Sequence, residues 1–422
     1  MNSKSLFDSL KKNAMLIVLV LVYVFFMIKT KGVIFQPAQF KALIDQNAYV
    51  YILGVGMLMC MLTGGNIDLS CGSFVCFLGA VGGIVMVNLG KMVTENTPQV
   101  LASVIGFLSL HSTAASIIIM LLVGIAYGCL LGYLIAYINI PPWIATLAGY
   151  LAFRGLGTSI LSRSSNTGSI SIGQKSDFLS FFSGKIFGTK PKVFNWPCMI
   201  AGIAAAVITV IVIFISRATK LRKGYAADSF VSTLVKSVLS AAAILLIMWK
   251  LSNAGGIPTP LVWVVVVVLI YSFITSKTTL GRHFYIVGGN KEAARMSGVN
   301  THKIMFLAYL NMAFLTSITT MMVLARMTAA NSTAGTNFEM DAISACVVGG
   351  VSASGGAGSV FGIVIGATLI GVINLGMSLM GIDANWQKVV KGVVLLGAVA
   401  FDILGKQNIN WKALLLSHRK RS

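Results

Sequence analysis

Ala114 to Tyr137 reads AASIIIMLLVGIAYGCLLGYLIAY, twenty-four residues without a single charge. As a helix rising 1.5 Å per residue it would be about 36 Å long, enough to cross a hydrocarbon layer of about 30 Å. Within it, Gly124, Gly128, Gly132 and Ala136 recur at every fourth position and lay a smooth groove along one helix face. Such stripes let two backbones approach closely in lipid, so the segment reads as a spanning helix packed on another. Gly358, Gly362 and Gly366 repeat the device. Contact inside one subunit is the plainer reading of both stripes, and a subunit interface the sharper one.

Apolar runs of spanning length or slightly less fill the rest of the chain. They are Asn13 to Ile28, Ala48 to Thr63, Gly72 to Leu89, Ile144 to Leu161, Pro197 to Ile215, Thr233 to Trp249, Leu261 to Thr275, Ile304 to Ala325, Ser359 to Met380 and Val389 to Leu404. Asp341 to Gly350, short and followed by glycines, offers a twelfth crossing. The first run follows Lys4, Lys11 and Lys12 in the manner of a secretory signal, but Lys29-Thr30-Lys31 stands where a small-residue cleavage site would be, so it is expected to stay as a span. Composition agrees. The 422 residues are 56% hydrophobic and only 10% charged, where soluble domains carry about 25% charged residues. Mean hydropathy is +0.87. These values exclude a soluble enzyme, a disordered chain and a disulfide scaffold. The six cysteines lie mostly inside apolar runs, with no CxxC pair and no nearby His, and read as small hydrophobes.

The formal charge of +21 is the footprint of a polytopic membrane protein, whose Lys and Arg flank spans and meet anionic lipid; membrane lipid is expected as a partner, and no nucleic acid. If the N-terminus is cytoplasmic, the inside segments hold 17 basic residues, among them Arg217, Lys220, Lys277, Arg282, Lys412 and Arg419, against about 11 outside. That bias places both termini in the cytoplasm and requires an even number of crossings. The expectation is an all-α polytopic transmembrane helical bundle of about 10–12 spans, with a short or broken helix near residues 341–358, in a single domain over residues 1–422.

Three stretches break the apolar pattern, and irregular backbone at membrane depth survives only where protein or a water-filled cavity covers it. The first is Thr63-Gly64-Gly65-Asn66-Ile67-Asp68-Leu69-Ser70-Cys71-Gly72-Ser73. An acid at that depth costs several kcal/mol unless paired or capped. Asp68 is therefore expected to cap the helix starting near Ser70, with direct contact to a transported solute as the alternative. The second, Gly281 to Gly298, is read as a loop in which Glu292 to Arg295 forms a short helix between Gly289 and Gly298, lying on the cytoplasmic surface. The third, Val347 to Gly358, resembles a phosphate loop but lacks its Lys-Ser/Thr ending, and reads as a tightly packed broken helix. Gly168 to Ser176 nearly spells the same loop, yet Gln174 separates Gly173 from Lys175. No ATP site, metal set, cofactor site or hydrolytic motif is visible, so the chain is not expected to be an enzyme.

At these residues the sequence resembles bacterial ABC monosaccharide permeases of the ribose, xylose and galactose type. The resemblance rests on Gly65-Asn66-Ile67-Asp68-Leu69-Ser70, Ile140-Pro141-Pro142-Trp143-Ile144-Ala145-Thr146-Leu147 and Phe153-Arg154-Gly155-Leu156. It rests also on Thr279-Leu280-Gly281-Arg282, Gly288-Gly289-Asn290-Lys291-Glu292-Ala293-Ala294-Arg295 and Gly349-Gly350-Val351-Ser352, all in family order. Met199 to Gly256 looks like an extra helix pair, which leans the likeness toward longer xylose-like or multiple-monosaccharide members. The resemblance implies a bacterial inner-membrane permease, homodimeric or paired, working with a cytoplasmic ABC ATPase subunit and a periplasmic or extracellular sugar-binding protein. It makes Gly288, Gly289, Asn290, Glu292, Ala293, Ala294 and Gly298 the ATPase-coupling loop. For the translocation path the candidates are Gly64, Gly65, Asn66, Asp68, Ser70, Gly349, Gly350 and Asn374, with Asn311, Tyr133 and Tyr137 as further polar groups. The rival readings are an ABC permease for another small polar solute, such as a nucleoside, a furanone signal or a branched-chain amino acid, and an ion-coupled secondary transporter. The few intramembrane acids weigh against the last.

Overall fold

The computed structural model describes residues 14–88, 105–106, 108–173, 175–188, 193–226 and 229–406. The terminal basic clusters used for orientation, Lys4 to Lys12 and Lys412 to Arg421, lie outside them. The chain begins with α1 (Ala14–Lys29) and a 3-10 turn at Val33–Phe35, followed by α2 (Pro37–Leu62), α3 (Cys71–Asn88), α4 (Ser112–Ala136) and α5 (Pro142–Ser164). Short elements intervene: β1 (Ser169–Ser171), α6 (Ser176–Ser183) and β2 (Lys185–Ile186). Next come α7 (Trp196–Arg222), α8 (Phe230–Asn253), β3 (Ile257–Pro258), α9 (Thr259–Lys277), α10 (Thr279–Gly289) and α11 (Lys291–Met296). The chain continues through α12 (Thr301–Met327), β4 (Ala329–Asn331), α13 (Phe338–Val348), α14 (Val360–Leu379) and α15 (Ala384–Lys406). Among the described residues, α2, α4, α5, α7, α8, α9, α12 and α14 are long and apolar enough to cross a membrane. The strands form only two short antiparallel straps, β1 on β4 with Ser169 opposite Asn331, and β2 on β3 with Lys185 opposite Pro258. The molecule is a polytopic helical membrane bundle.

Helix ends follow local chemistry. Pro stands in the first turn of α2, α5, α7 and α9, where its missing N–H costs nothing. Side chains of Asn195, Ser229, Thr278, Asn290, Asn300 and Ser359 accept the free N–H groups of the helices they precede. Both small-residue stripes pack within the chain. A Cβ on Gly128 would come within 2.9 Å of Leu310 Cα and of Ala313 Cβ on α12, and Gly132 similarly meets the Phe306 carbonyl; Gly362 and Gly366 lie against the Gly349 and Ala345 carbonyls of the α13 end. This is the plainer of the two readings, helix contact inside one subunit.

The structure departs from the sequence reading in two places. α2 begins at Pro37, eleven residues before the apolar run, because Lys41 pairs with Asp45 one turn on at 2.5 Å and makes a polar start helical. The stretch read as a loop from Gly281 is helical to Gly289: Thr278 Oγ1 caps it at Gly281 N, 3.1 Å, and Phe284 and Val287 are buried under it. The short or broken helix expected near residues 341–358 is present: the eleven residues of α13 span only about 16 Å and a glycine-rich extended segment follows them.

Candidate functional site

The three irregular stretches, far apart in sequence, meet at one junction. α10 ends at Gly288-Gly289 against the end of α2: a side chain at Gly288 would drive into the Leu62 carbonyl and stand 2.6 Å from Gly356 N. Gly356 N donates to the same Leu62 carbonyl at 3.2 Å. A Cβ on Gly355 would be 2.5 Å from Gly64 Cα and 2.8 Å from Gly65 N, and one on Gly65 would collide with the Ala353 carbonyl. Gly65 and Gly355 both sit at positive φ, 74° and 85°, as the sharp turns on either side of the contact require. The Tyr285 hydroxyl of α10 donates to the Gly358 carbonyl at 3.0 Å. Backbone therefore presses on backbone from α2, α10 and the segment before α14, with almost no side chain between them.

Both segments that leave the junction are broken spans. From Gly64 the chain turns back along α2, and Asp68 N reaches Met57 Sδ, five residues before α2 ends. α3 thus starts about 8 Å inside the level of Leu62. Its start is capped as expected: Asp68 Oδ1 accepts from Ser70 N at 2.8 Å and from Ser70 Oγ at 2.6 Å, and the Tyr127 hydroxyl donates to Ser70 Oγ at 2.8 Å. Asp68 is 2% exposed. Asn66 Nδ2 closes the turn onto the Thr63 carbonyl at 3.2 Å. On the other side, Gly349 ends α13 and Gly350 takes φ 82°; Val351 N, Ser352 N and Gly355 N donate to the Cys346, Ala357 and Ser352 carbonyls, so the extended strip satisfies much of its own backbone.

Where α13 passes the start of α3, Glu339 lies 3% exposed with Oε2 against Gly72 and without a hydrogen-bond partner among the described residues. Asp341, two residues on, accepts from Tyr49 at 2.5 Å and pairs with Lys391 of α15 at 2.9 Å. Arg154 Nη1 grips the Ser332 and Ala334 carbonyls ahead of α13 at 3.1 and 2.9 Å. The sequence reading gave Asp341 no role of its own and did not single out Tyr49 or Lys391, which lie 292 and 50 positions from it.

The segment from Asn290 to Gly298 is a compact projection. Asn290 Oδ1 caps α11 at Ala293 N, 2.9 Å; Ala294 is the buried residue, and Gly298 leaves at φ 80°. Lys291, Glu292, Ala293, Arg295 and Met296 are exposed, Met296 at 88%. Asn374 is not brought to the junction: its Nδ2 donates to Asn47 Oδ1 at 3.3 Å, fifteen residues before Leu62 on α2. Tyr133 and Tyr137 stack on the exposed face of α4. Asn311 pairs with Tyr271 beside a cavity of about 350 Å³ whose walls, including Met59, Phe284, Leu310 and Phe314, are almost wholly apolar. That cavity suits no polyol.

The family model described as "Branched-chain amino acid transport system / permease component" matches residues 41–399. The chain is 32% identical over 401 residues to the xylose transport system permease protein XylH of Haemophilus influenzae, covering 94% of this chain and 96% of that protein. Against XylH of Escherichia coli K12 the identity is 32% over 401 residues, 93% and 92% of the two chains. The ribose import permease protein RbsC of Escherichia coli K12 is 29% identical over 365 residues, 85% and 84%. No solved structure matches.

Proposed function

Because the chain belongs to the branched-chain amino acid transport system / permease component family, we propose that it is the membrane-spanning subunit of an ABC importer for a monosaccharide, with a pentose as the first candidate. The pentose preference is drawn from the two xylose permeases and the ribose permease it resembles. In this reading α11 seats in a groove of a cytoplasmic ATPase, an extracytoplasmic binding protein delivers the sugar, two permease chains enclose the path, and both termini lie in the cytoplasm.

One observation carries the mechanism: the helix that leads into α11 ends on the backbone of both broken spans. A displacement of α11 by the ATPase is transmitted through α10 to Gly288, and from there to Leu62 and Gly356 without a compressible side chain to absorb it. Segments 64–70 and 349–359 are the parts of the bundle whose shape is set by turns rather than by a helical ladder, so they are where the push changes the path. The transporter's work is conformational, with ATP hydrolysis supplied by the partner.

The test is uptake into proteoliposomes holding this chain with the ATPase and binding protein that co-purify with it, using labelled xylose, ribose, galactose and leucine. Uptake of a pentose, stopped by orthovanadate and indifferent to an ionophore, is expected. Uptake of leucine alone would move the chain to amino-acid import, and collapse with the ionophore would make it a secondary transporter.

A further inference from the structure

Between α10 and the rest of the bundle lies unfilled space. The cavity of about 350 Å³ beside Tyr271 is bounded by α2, α4, α9, α10 and α12, and α10 contributes Leu280 and Phe284 to its wall. Leu280, Phe284 and Gly288 follow one another at every fourth position, so they share one face of that helix. Gly288 is pressed on the Leu62 carbonyl, whereas Leu280 and Phe284 border the cavity, with Met59 of α2 on its far wall. The helix is therefore fixed at its end and has room to tilt toward α2 along its first two turns.

Among the wall residues only Tyr271 and Asn311 carry oxygen or nitrogen in their side chains, and the two are bonded to each other. A buried water needs about two to four polar partners, so the cavity stays dry. Ile125, Leu280 and Phe314 of its wall are also 40%, 38% and 38% exposed on the outside of the bundle, which makes the membrane hydrocarbon the way in. Moving from hydrocarbon into an apolar cavity brings no hydrophobic gain. What it brings is contact, because unfilled space leaves the wall without dispersion partners. An acyl chain would give up rotamer freedom for those contacts, whereas a rigid ring gives up none. Tyr271, Phe284 and Phe314 offer such a ring their faces and edges. We propose that the cavity binds a rigid apolar molecule of one or two rings dissolved in the membrane, and that the occupant props α10 away from α2 and arrests transport. The arrest rests on the function proposed above; the binding does not.

Benzophenone, a two-ring ketone that bonds to neighbouring C–H groups on illumination, is the probe. The full chain is illuminated with it in proteoliposomes that also hold the co-purifying ATPase and binding protein, and the labelled residues are mapped by mass spectrometry. Label should concentrate on the cavity walls of α9, α10 and α12. Excess diphenylmethane, which has the same rings and no ketone, should remove it, and oleate should not. Ile274→Trp and Leu307→Trp each place an indole in the cavity and should lower labelling about fivefold or more, with ATP-driven uptake slowed by a like factor in the absence of any probe. In the dark, diphenylmethane should slow uptake by the wild-type chain to the same degree. Ile211→Trp, on the exposed face of α7, should change neither readout. Label spread evenly over the exposed helices, displacement by oleate, or labelling that both cavity variants leave intact would overturn the site; where a variant does not reach the membrane, competition by diphenylmethane on the wild-type chain decides it. Undiminished uptake by a chain whose cavity is occupied would overturn the arrest. Because labelling is read without transport, uptake of leucine alone or collapse with an ionophore would unseat the sugar-importer reading and leave the site standing.

Discussion

The centre of the bundle and its α7–α8 hairpin invert the rule that holds in water. The most apolar stretches of α7 and α8 are 17% and 11% buried, whereas those of α2 and α12, helices of plainly lower hydropathy, are 83% and 78% buried. α12 hides Thr316, Ser317, Thr319 and Thr320, each donating to the backbone carbonyl four residues before it, and α2 hides Asn47 and Tyr49 among its buried or partly buried residues. Lipid is as apolar as Leu, so burying Leu against protein gains little there; small and polar residues mark the inside. In such a chain, function is to be sought where hydropathy dips.

Substitutions graded along that contrast should lose their effect from the centre outward. Gly288→Val should be the most damaging: a branched side chain cannot enter between Leu62 and Gly356, and overpacking of a closed site costs about 3 kcal/mol or more, so ATP-driven uptake should fall at least a hundredfold and the unfolding temperature should drop. Glu292→Lys and Gly298→Asp act outside the packed centre. They should leave the protein in the membrane at normal levels while abolishing co-purification of the ATPase, and normal association in both would mean α11 is only a solvated turn. Asp68→Leu leaves the α3 start uncapped inside the bundle and should cost about 1–3 kcal/mol with most uptake lost, whereas Asp68→Asn, which still accepts from Ser70, should keep most of both. Equal loss in the two variants would make the charge itself essential. Lys391→Met, which strips Asp341 of its cation, should lower stability more than Lys41→Met, whose pair with Asp45 is an i,i+4 contact worth about 0.3–0.5 kcal/mol. Ile211→Ala on the lipid face of α7 should shift stability by less than about 0.5 kcal/mol; a larger loss would show that a protein surface covers this face.

Much of the architecture was legible because the bilayer imposes length and composition on each span. Every long apolar run became a helix, Asp68 became a cap, and Gly298 took the left-handed turn that its place after Glu292 to Arg295 suggested. Gly281 to Gly289 was misread since three glycines and two aromatics score poorly as helix, while the cap at Thr278 and the burial of Phe284 and Val287 outweigh them. The junction left no local trace at all. Gly65, Gly288 and Gly355 mark stretches that meet through main chain, so no hydrophobic periodicity or charge pairing connects them across separations of 67 residues or more, and each glycine reads alone as an ordinary turn. Tyr49, Asp341 and Lys391 were hidden likewise, as each looks like a scattered polar residue until α13 stops short and places the acid between α2 and α15.

The main-chain contact at Gly288 also bears on how such a protein can diverge. A packed core is adjustable in both directions, because a Leu can be exchanged for something larger or smaller. Glycine has nothing below it, so every coding change at Gly65, Gly288 or Gly355 pushes the same way, toward separation of the strands it holds together. The tightness of this contact cannot be graded by selection at the contact itself. Differences in transport rate between descendants of this gene must therefore be written into the neighbours that aim the strands, such as the Tyr285 hydroxyl on Gly358 or the Asn66 amide on Thr63, and the junction itself passes unchanged or is lost.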